Sequence, residues 1–340
     1  MSAPVEAGST APAPAPAPAL GLGVAIVGTA SLDAFVAFYD GELGLDASPV
    51  LELGGAAFER HWGLPPGSRA RSVLMSVGGS AVGRVLGIEF AARARRWVAD
   101  ESRGPFIGYW NLNFYVDGIV AACERLAARG WRFWSRPISH QVGQGSGAPT
   151  EAIFLGPDRV AINLVELGGA GGSTVDELRR ETAGLPRSRM GFSQVATSAH
   201  ATRDLEAALA FHRDVLGLWP TIDTVLESPA VNELTGRPPQ ARTRVVWMRG
   251  KHPYGKVALS QPLNYALADR TGELAAPAIG YLAQAFEVPD LEATLARAAA
   301  AGVARLSGPQ DVELAASLRV RAALLRSPGS GAPVQLVQAR

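Results

Sequence analysis

FYDGELGL, residues Phe38–Leu45, returns as FHRDVLGL at Phe211–Leu218. Two further stretches repeat in the same order. NFYVDGIVAACERLAARGW (Asn113–Trp131) returns as AFEVPDLEATLARAAAAGV (Ala285–Val303), and FLGPDRVAINLVE (Phe154–Glu166) as LRSPGSGAPVQLVQ (Leu325–Gln338). All three echoes share an offset of roughly 172 residues, the mark of one structural unit used twice. Between the units, GGAGGSTVDELRRETAGLPRSR is Gly-rich and then charged, which reads as a linker with a short helix over 175–183.

Within each unit the hydrophobic period alternates. LGVAIVGT is a short apolar run of strand type, and SLDAFVAFYDGELGL then places Leu32, Phe35, Phe38 and Tyr39 on one helical face, with Gly44 suited to its end. SVLMSVGG and GRVLGIEFAA read as strands around Gly-rich turns. WNLNFYVD opens a second strand–helix–strand pass, and the second unit follows the same order. Periodicity therefore predicts an α+β chain of four βαβββ modules. The boundaries expected are an Ala/Pro-rich tail over 1–19, a first domain over 20–168, a linker over 169–189 and a second domain over 190–340.

Of 340 residues, 47% are hydrophobic and 19% charged, and the net charge is +1. No basic block with interleaved aromatics points to nucleic acid or to a polybasic membrane patch. The Ala-Pro tail favours an extended conformation, lacks the layout of a secretory signal, and is left out of the fold. No apolar run approaches the ~20 residues that would span a bilayer, and a reducing cytoplasm is the expected compartment. Cys123, the single cysteine, sits in an Ala-rich helical stretch and is read as helix packing; one cysteine makes neither an internal disulfide nor a cysteine-based zinc site.

A strand followed by DLEAALAFHRDVLGL resembles the opening module of the vicinal-oxygen-chelate superfamily, which includes glyoxalase, bleomycin-resistance and extradiol-dioxygenase proteins. A strand ending FYV or FEV, a helix ending AARG or AAAG, and the closing GPDRVAINLVE are similar to its second module. The resemblance covers Leu20–Leu167 and Met190–Arg340. It implies two domains, each a curled mixed sheet around a cavity with helices outside. It also implies metal ligands on the first and last strands of the modules. Carried over by position, these fall near Gly23, Asn111 and Asn163 in the first half and near Gln194, Ala283 and Gln335 in the second. Gly and Ala cannot ligate, and neutral amides are poor ligands for iron or zinc, so no metal site is expected. A divalent metal (Fe, Mn or Zn) is the alternative, for instance through His200 with Gln194 and Gln335.

The five histidines are His61, His140, His200, His212 and His252, and none falls on an expected inward strand position. Two groups remain for metal-free chemistry. In the first half, Arg60, His61 and Trp62 precede LPPG, while Tyr109, Asn111, Asn113 and Asn163 lie on or beside predicted cavity strands. In the second half, Trp247 and Arg249 share a strand face next to His252 and Tyr254. His61, His252 and Tyr254 are the expected acid–base residues. The expected binding residues are Arg60, Trp62, Tyr109, Asn111, Asn113, Asn163, Gln194, Trp247, Arg249 and Gln335. The function expected is a lyase or isomerase without metal, moving a proton next to a carbonyl on a small aromatic or apolar oxygenated molecule. The alternatives are a non-catalytic small-molecule binder and a metal-dependent extradiol-type dioxygenase. The partner expected is a small ligand, with a homodimer as an option.

Overall fold

The computed structural model describes residues 19–92, 95–168 and 171–339. The predicted tail over 1–19 lies, apart from Ala19, outside the described residues.

Four modules follow in chain order. The first holds β1 (Leu22–Gly28), α1 (Leu32–Val36), β2 (Asp46–Ala47), β3 (Leu51–Gly54), α2 (Ala56–Trp62), β4 (Arg69–Ser76) and β5 (Arg84–Phe90). The second holds β6 (Gly108–Tyr115), α3 (Ile119–Ala128), β7 (Ile138–Ser139), β8 (Thr150–Leu155) and β9 (Ala161–Glu166). The linker forms α4 (Thr174–Thr182), one residue from the expected helix. The third holds β10 (Val195–Ala201), α5 (Leu205–Ala210), β11 (Trp219–Leu226), α6 (Pro229–Leu234), β12 (Thr243–Arg249) and β13 (Lys256–Pro262). The fourth holds β14 (Gly280–Glu287), α7 (Leu291–Ala300), β15 (Arg305–Ala315), β16 (Leu318–Arg326) and β17 (Pro333–Ala339).

The local chemistry explains the starts and stops. Ser31, Asp204 and Asp290 each accept a hydrogen bond from a backbone N–H of the following first turn, so they cap α1, α5 and α7. The first sequence echo has a structural counterpart: α1 and α5 both run on into a π-helical turn, over Ala37–Glu42 and Phe211–Val215. On α3, Ile119, Ala122, Cys123 and Leu126 form the buried stripe, and burial pushes the Cys123 thiol up to about 12.

The pairing of modules departs from the division into two contiguous domains. One sheet runs β15-β16-β17-β14-β1-β5-β4-β2, with β3 on β4, and joins the first module to the fourth. The other runs β11-β12-β13-β10-β6-β9-β8-β7 and joins the second to the third. Each curled sheet takes one module from each half of the chain, and both sheets are completed within one chain. The seams are antiparallel contacts of β1 with β14 and of β10 with β6. The sheets are tied together by buried polar contacts. Tyr109 donates to the Pro333 carbonyl at 2.9 Å, and Ser198 lies 2.8 Å from the Tyr281 hydroxyl and accepts from Gln284 at 2.9 Å.

Candidate functional site

The curl of the second-plus-third-module sheet leaves a cavity with two adjoining lobes. Asn113, Glu151 and Trp247 line both. Strand alternation accounts for the lining: Glu151 and Ile153 point inward from β8, Val245 and Trp247 from β12, and Lys256, Ala258 and Ser260 from β13. Asn113 and Asn163 sit side by side because β6 and β9 pair in parallel with these two residues in register.

The polar centre is His140. It follows β7 and opens a Gly-rich loop that folds back on itself, with Val142 N donating to the Gly147 carbonyl at 3.1 Å. Gly147 has φ +105°, and a Cβ there would meet Val175 of α4 at 2.8 Å, so only glycine lets this loop seat against the linker helix. His140 Nε2 lies 3.2 Å from Glu151 Oε1, and Asn163 Nδ2 donates to Glu151 Oε2 at 2.5 Å. Arg237 closes the wall from the turn after α6. Asn232 Nδ2 staples that turn by donating to the Pro239 and Ala241 carbonyls at 3.0 Å each.

Burial pulls the His140 pKa down, but its hydrogen bond to Glu151 and the carboxylate charge outweigh this, and the net shift is upward. Burial pushes Glu151 up, yet His140 and Asn163 hold it below the usual carboxylate range. The pair is therefore an imidazole held by a firmly ionised carboxylate. Because a carboxylate only accepts, His140 carries its proton on Nε2 toward Glu151, and its other nitrogen, Nδ1, has no partner at the cavity wall. Asn113 Oδ1, Asn163 Oδ1 and Arg237 Nε and Nη1 are buried without partners in the same wall. Buried polar atoms are normally satisfied, so this convergence of orphaned donors and acceptors marks a place for a polar ligand group.

The donor set does not fit the metal centre that the resemblance brings to mind. His140 and Glu151 are bonded to each other, and the neighbouring polar side chains are amides, hydroxyls and cations. Among the described residues no three His, Cys, Asp or Glu side chains come together.

Of the sequence-predicted residues, Asn113, Asn163 and Trp247 line the cavity. Asn111 does too, but its Oδ1 accepts from Ala199 N at 3.2 Å and so fastens the seam between modules. The others lie elsewhere. His61 reaches Gln335 Oε1 at 3.1 Å, because the first and fourth modules share a sheet; α2 packs along β15 there, with Phe58, His61 and Trp62 buried. Burial holds His61 down at about 4, so it is a neutral core residue. Trp62 packs edge-on against Phe90, and Arg60 is exposed. Tyr109 lies between His200 and Tyr281 at the contact of the two sheets. Gln194 donates to Ser80 Oγ at 2.7 Å, away from the cavity. Arg249 pairs with Glu181 of α4 at 3.1 Å. His252 accepts from Tyr254 N inside its own turn, and Tyr254 is buried against Tyr115 and Val82. His252 and Tyr254 thus brace a junction. The residues that sequence reasoning passed over are His140, Glu151, Arg237 and Lys256. The period-two alternation of TEAIF and KVALS carried the signal for Glu151 and Lys256, whereas the Gly-rich and Pro-rich loops around His140 and Arg237 carry none.

Residues 194–318 match the model of the Glyoxalase/Bleomycin resistance protein/Dioxygenase superfamily. Glyoxalase I from Zea mays superposes with a TM-score of 0.57 at 13% identity, over 94% of this chain and 92% of that one. A putative dioxygenase from Bacillus subtilis subsp. subtilis str. 168 gives 0.53 at 14% identity, over 94% and 86%. No curated protein matches the sequence. The fold is that of the vicinal-oxygen-chelate proteins, in tandem form, and residues 194–318 carry the superfamily's sequence pattern. Fold alone does not fix chemistry; the site does. Among the described residues no helix is long and apolar enough to cross a membrane.

Proposed function

We propose that the chain is a metal-independent lyase or isomerase. It moves a proton next to a carbonyl on a small aromatic or apolar molecule held between the second and third modules. The observation that carries this reading is the His140–Glu151 pair, with Nδ1 of the imidazole unpartnered in the cavity wall beside an under-bonded Arg237. Glu151 fixes the tautomer and stabilises the imidazolium that forms when Nδ1 takes a proton. Arg237 holds the oxygen on which negative charge collects, and in this desolvated wall its charge acts at little cost in reorganisation. Trp110, Trp247 and Ile153 supply the apolar bed for the rest of the molecule.

The test is hydrogen exchange. A panel of aryl ketones is incubated with the protein in D2O, and loss of the α-proton signal is followed by NMR. Exchange is expected for at least one ketone, and His140→Gln is expected to slow it by about 10²–10⁴-fold. Ketones that bind without any exchange would leave the protein a binder, and exchange indifferent to His140 would remove the base.

A further inference from the structure

Two of the 32 Lys and Arg residues are lysines, Lys251 and Lys256. Lys251 is exposed in the turn before β13, whereas Lys256 is 2% exposed and lines the second lobe of the cavity. Arginine cannot release its proton in a protein; lysine can, and its free amine is a nucleophile. A chain that meets nearly all its needs for positive charge with arginine thus keeps one amine on an inward strand position.

We propose that Lys256 captures carbonyl compounds: an apolar aldehyde or ketone entering the second lobe condenses with Nζ to form an imine. The surroundings suit this. Nζ donates to the Pro253 carbonyl and lies 5.2 Å from the centre of the Tyr115 ring. Among the described residues no carboxylate lies within ion-pair distance of it; the charges nearest by, Arg249 and Glu181, are engaged with each other. Burial first, and then the Arg249 charge, bring the amine down to about 7, so that a substantial fraction is neutral near pH 7. His252 is itself held low by burial and by Lys256, and Glu151, on the same lobe wall, is engaged with His140 and Asn163. Val142, Val165, Val175, Ile222 and Trp247 form the apolar part of the lobe wall, alongside the polar Asn113 and Glu151, and give the apolar portion of a carbonyl compound its seat.

The step balances without an added oxidant or reductant. The nitrogen lone pair forms a C–N bond to the carbonyl carbon, and the C=O π pair passes to oxygen, which takes a proton. The hydroxyl then leaves as water while nitrogen gives up its remaining proton, and C=N is left. This chemistry shares the cavity with the His140 site but does not depend on it.

Benzaldehyde with cyanoborohydride near pH 7 reduces any imine to a stable benzylamine, which peptide mapping locates. Lys256 is expected to be labelled at least about tenfold faster than Lys251, which stands exposed in its turn outside any apolar lobe. Lys251→Arg should leave the Lys256 label in place, and Lys256→Met should abolish it. His140→Gln should not affect it, so a failed proton-transfer reading leaves this one standing. A Lys256 that stays unlabelled in the native protein, or is labelled no faster than Lys251, overturns the proposal. The wild-type map decides this even if Lys256→Met does not fold.

Discussion

The Glu151 carboxylate receives His140 Nε2 at 3.2 Å on one oxygen and Asn163 Nδ2 at 2.5 Å on the other, so both of its oxygens are committed within the wall. Glu151 therefore acts through His140 and is a positioning residue. Glu151→Gln removes the charge that lifts the His140 pKa while keeping the shape. The sign follows: without the carboxylate, burial wins and the imidazole pKa falls. The acid limb of any pH–rate profile should then move to lower pH while the plateau rate drops. A plateau loss with an unmoved limb would assign the limb to another group.

Arg237 has Nε and Nη1 buried without partners, and burial lowers its pKa. A charge-assisted hydrogen bond contributes about 1.5–3 kcal/mol. Arg237→Met should therefore weaken binding of an anion such as benzoate by roughly 10–100-fold, and hardly change that of benzyl alcohol. Its melting temperature should hold or rise, since replacing a desolvated, under-bonded charge by an apolar chain of similar length relieves a cost. Titration calorimetry with the two ligands, beside a melting curve, checks both halves. A stability loss with equal weakening of both ligands would make Arg237 a scaffold residue.

His61, His200 and His212 are buried and neutral. Burial holds His61 and His212 at about 4 and His200 well below its ordinary value, with His212 adding to the last. All three lie below the unfolded value of about 6.5, so the unfolded chain binds more protons as the pH falls. Their contribution to stability is whole above about pH 6.5 and is lost on the way down through pH 4. At about pH 5 the loss is on the order of 2 kcal/mol for each of His61 and His212. His140, shifted upward, works in the opposite direction and offsets part of this. The urea midpoint should drop between about pH 7.5 and pH 5, and the drop should shrink in His212→Leu. An identical pH dependence in that variant would show that His212 is not among the groups that protonate on unfolding.

Much of this fold could be read from the echoes, because a module's period and caps are local properties. Ser31, Asp204 and Asp290 announce their helices within four residues. The partner of each module could not be read. β1, β6, β10 and β14 are all largely buried strands with similar edges, so no residue pattern says which edge meets which. The site suffered most from this. Asn113, Asn163 and Trp247 sit on strands with regular alternation and were legible, but His140 and Arg237 come from loops whose placement depends on the pairing. His61 and Gln335, expected in separate halves, meet for the same reason.

The crossed pairing has a consequence for chain cleavage. Residues 1–168 contain β1 and β6, which lie in different sheets, each with its module partner in the other half. Either half alone would present two seam edges together with the apolar face between the sheets, a template for pairing with further copies. Expressed separately, residues 1–168 and 169–340 should run by light scattering as oligomers or aggregates. Coexpressed, they should assemble into a one-to-one complex of the mass of the intact chain that binds the same ligands, because all four modules are then present. Two stable monomeric halves would mean that each half can close on its own modules, and the crossed sheets would then be one of two accessible pairings.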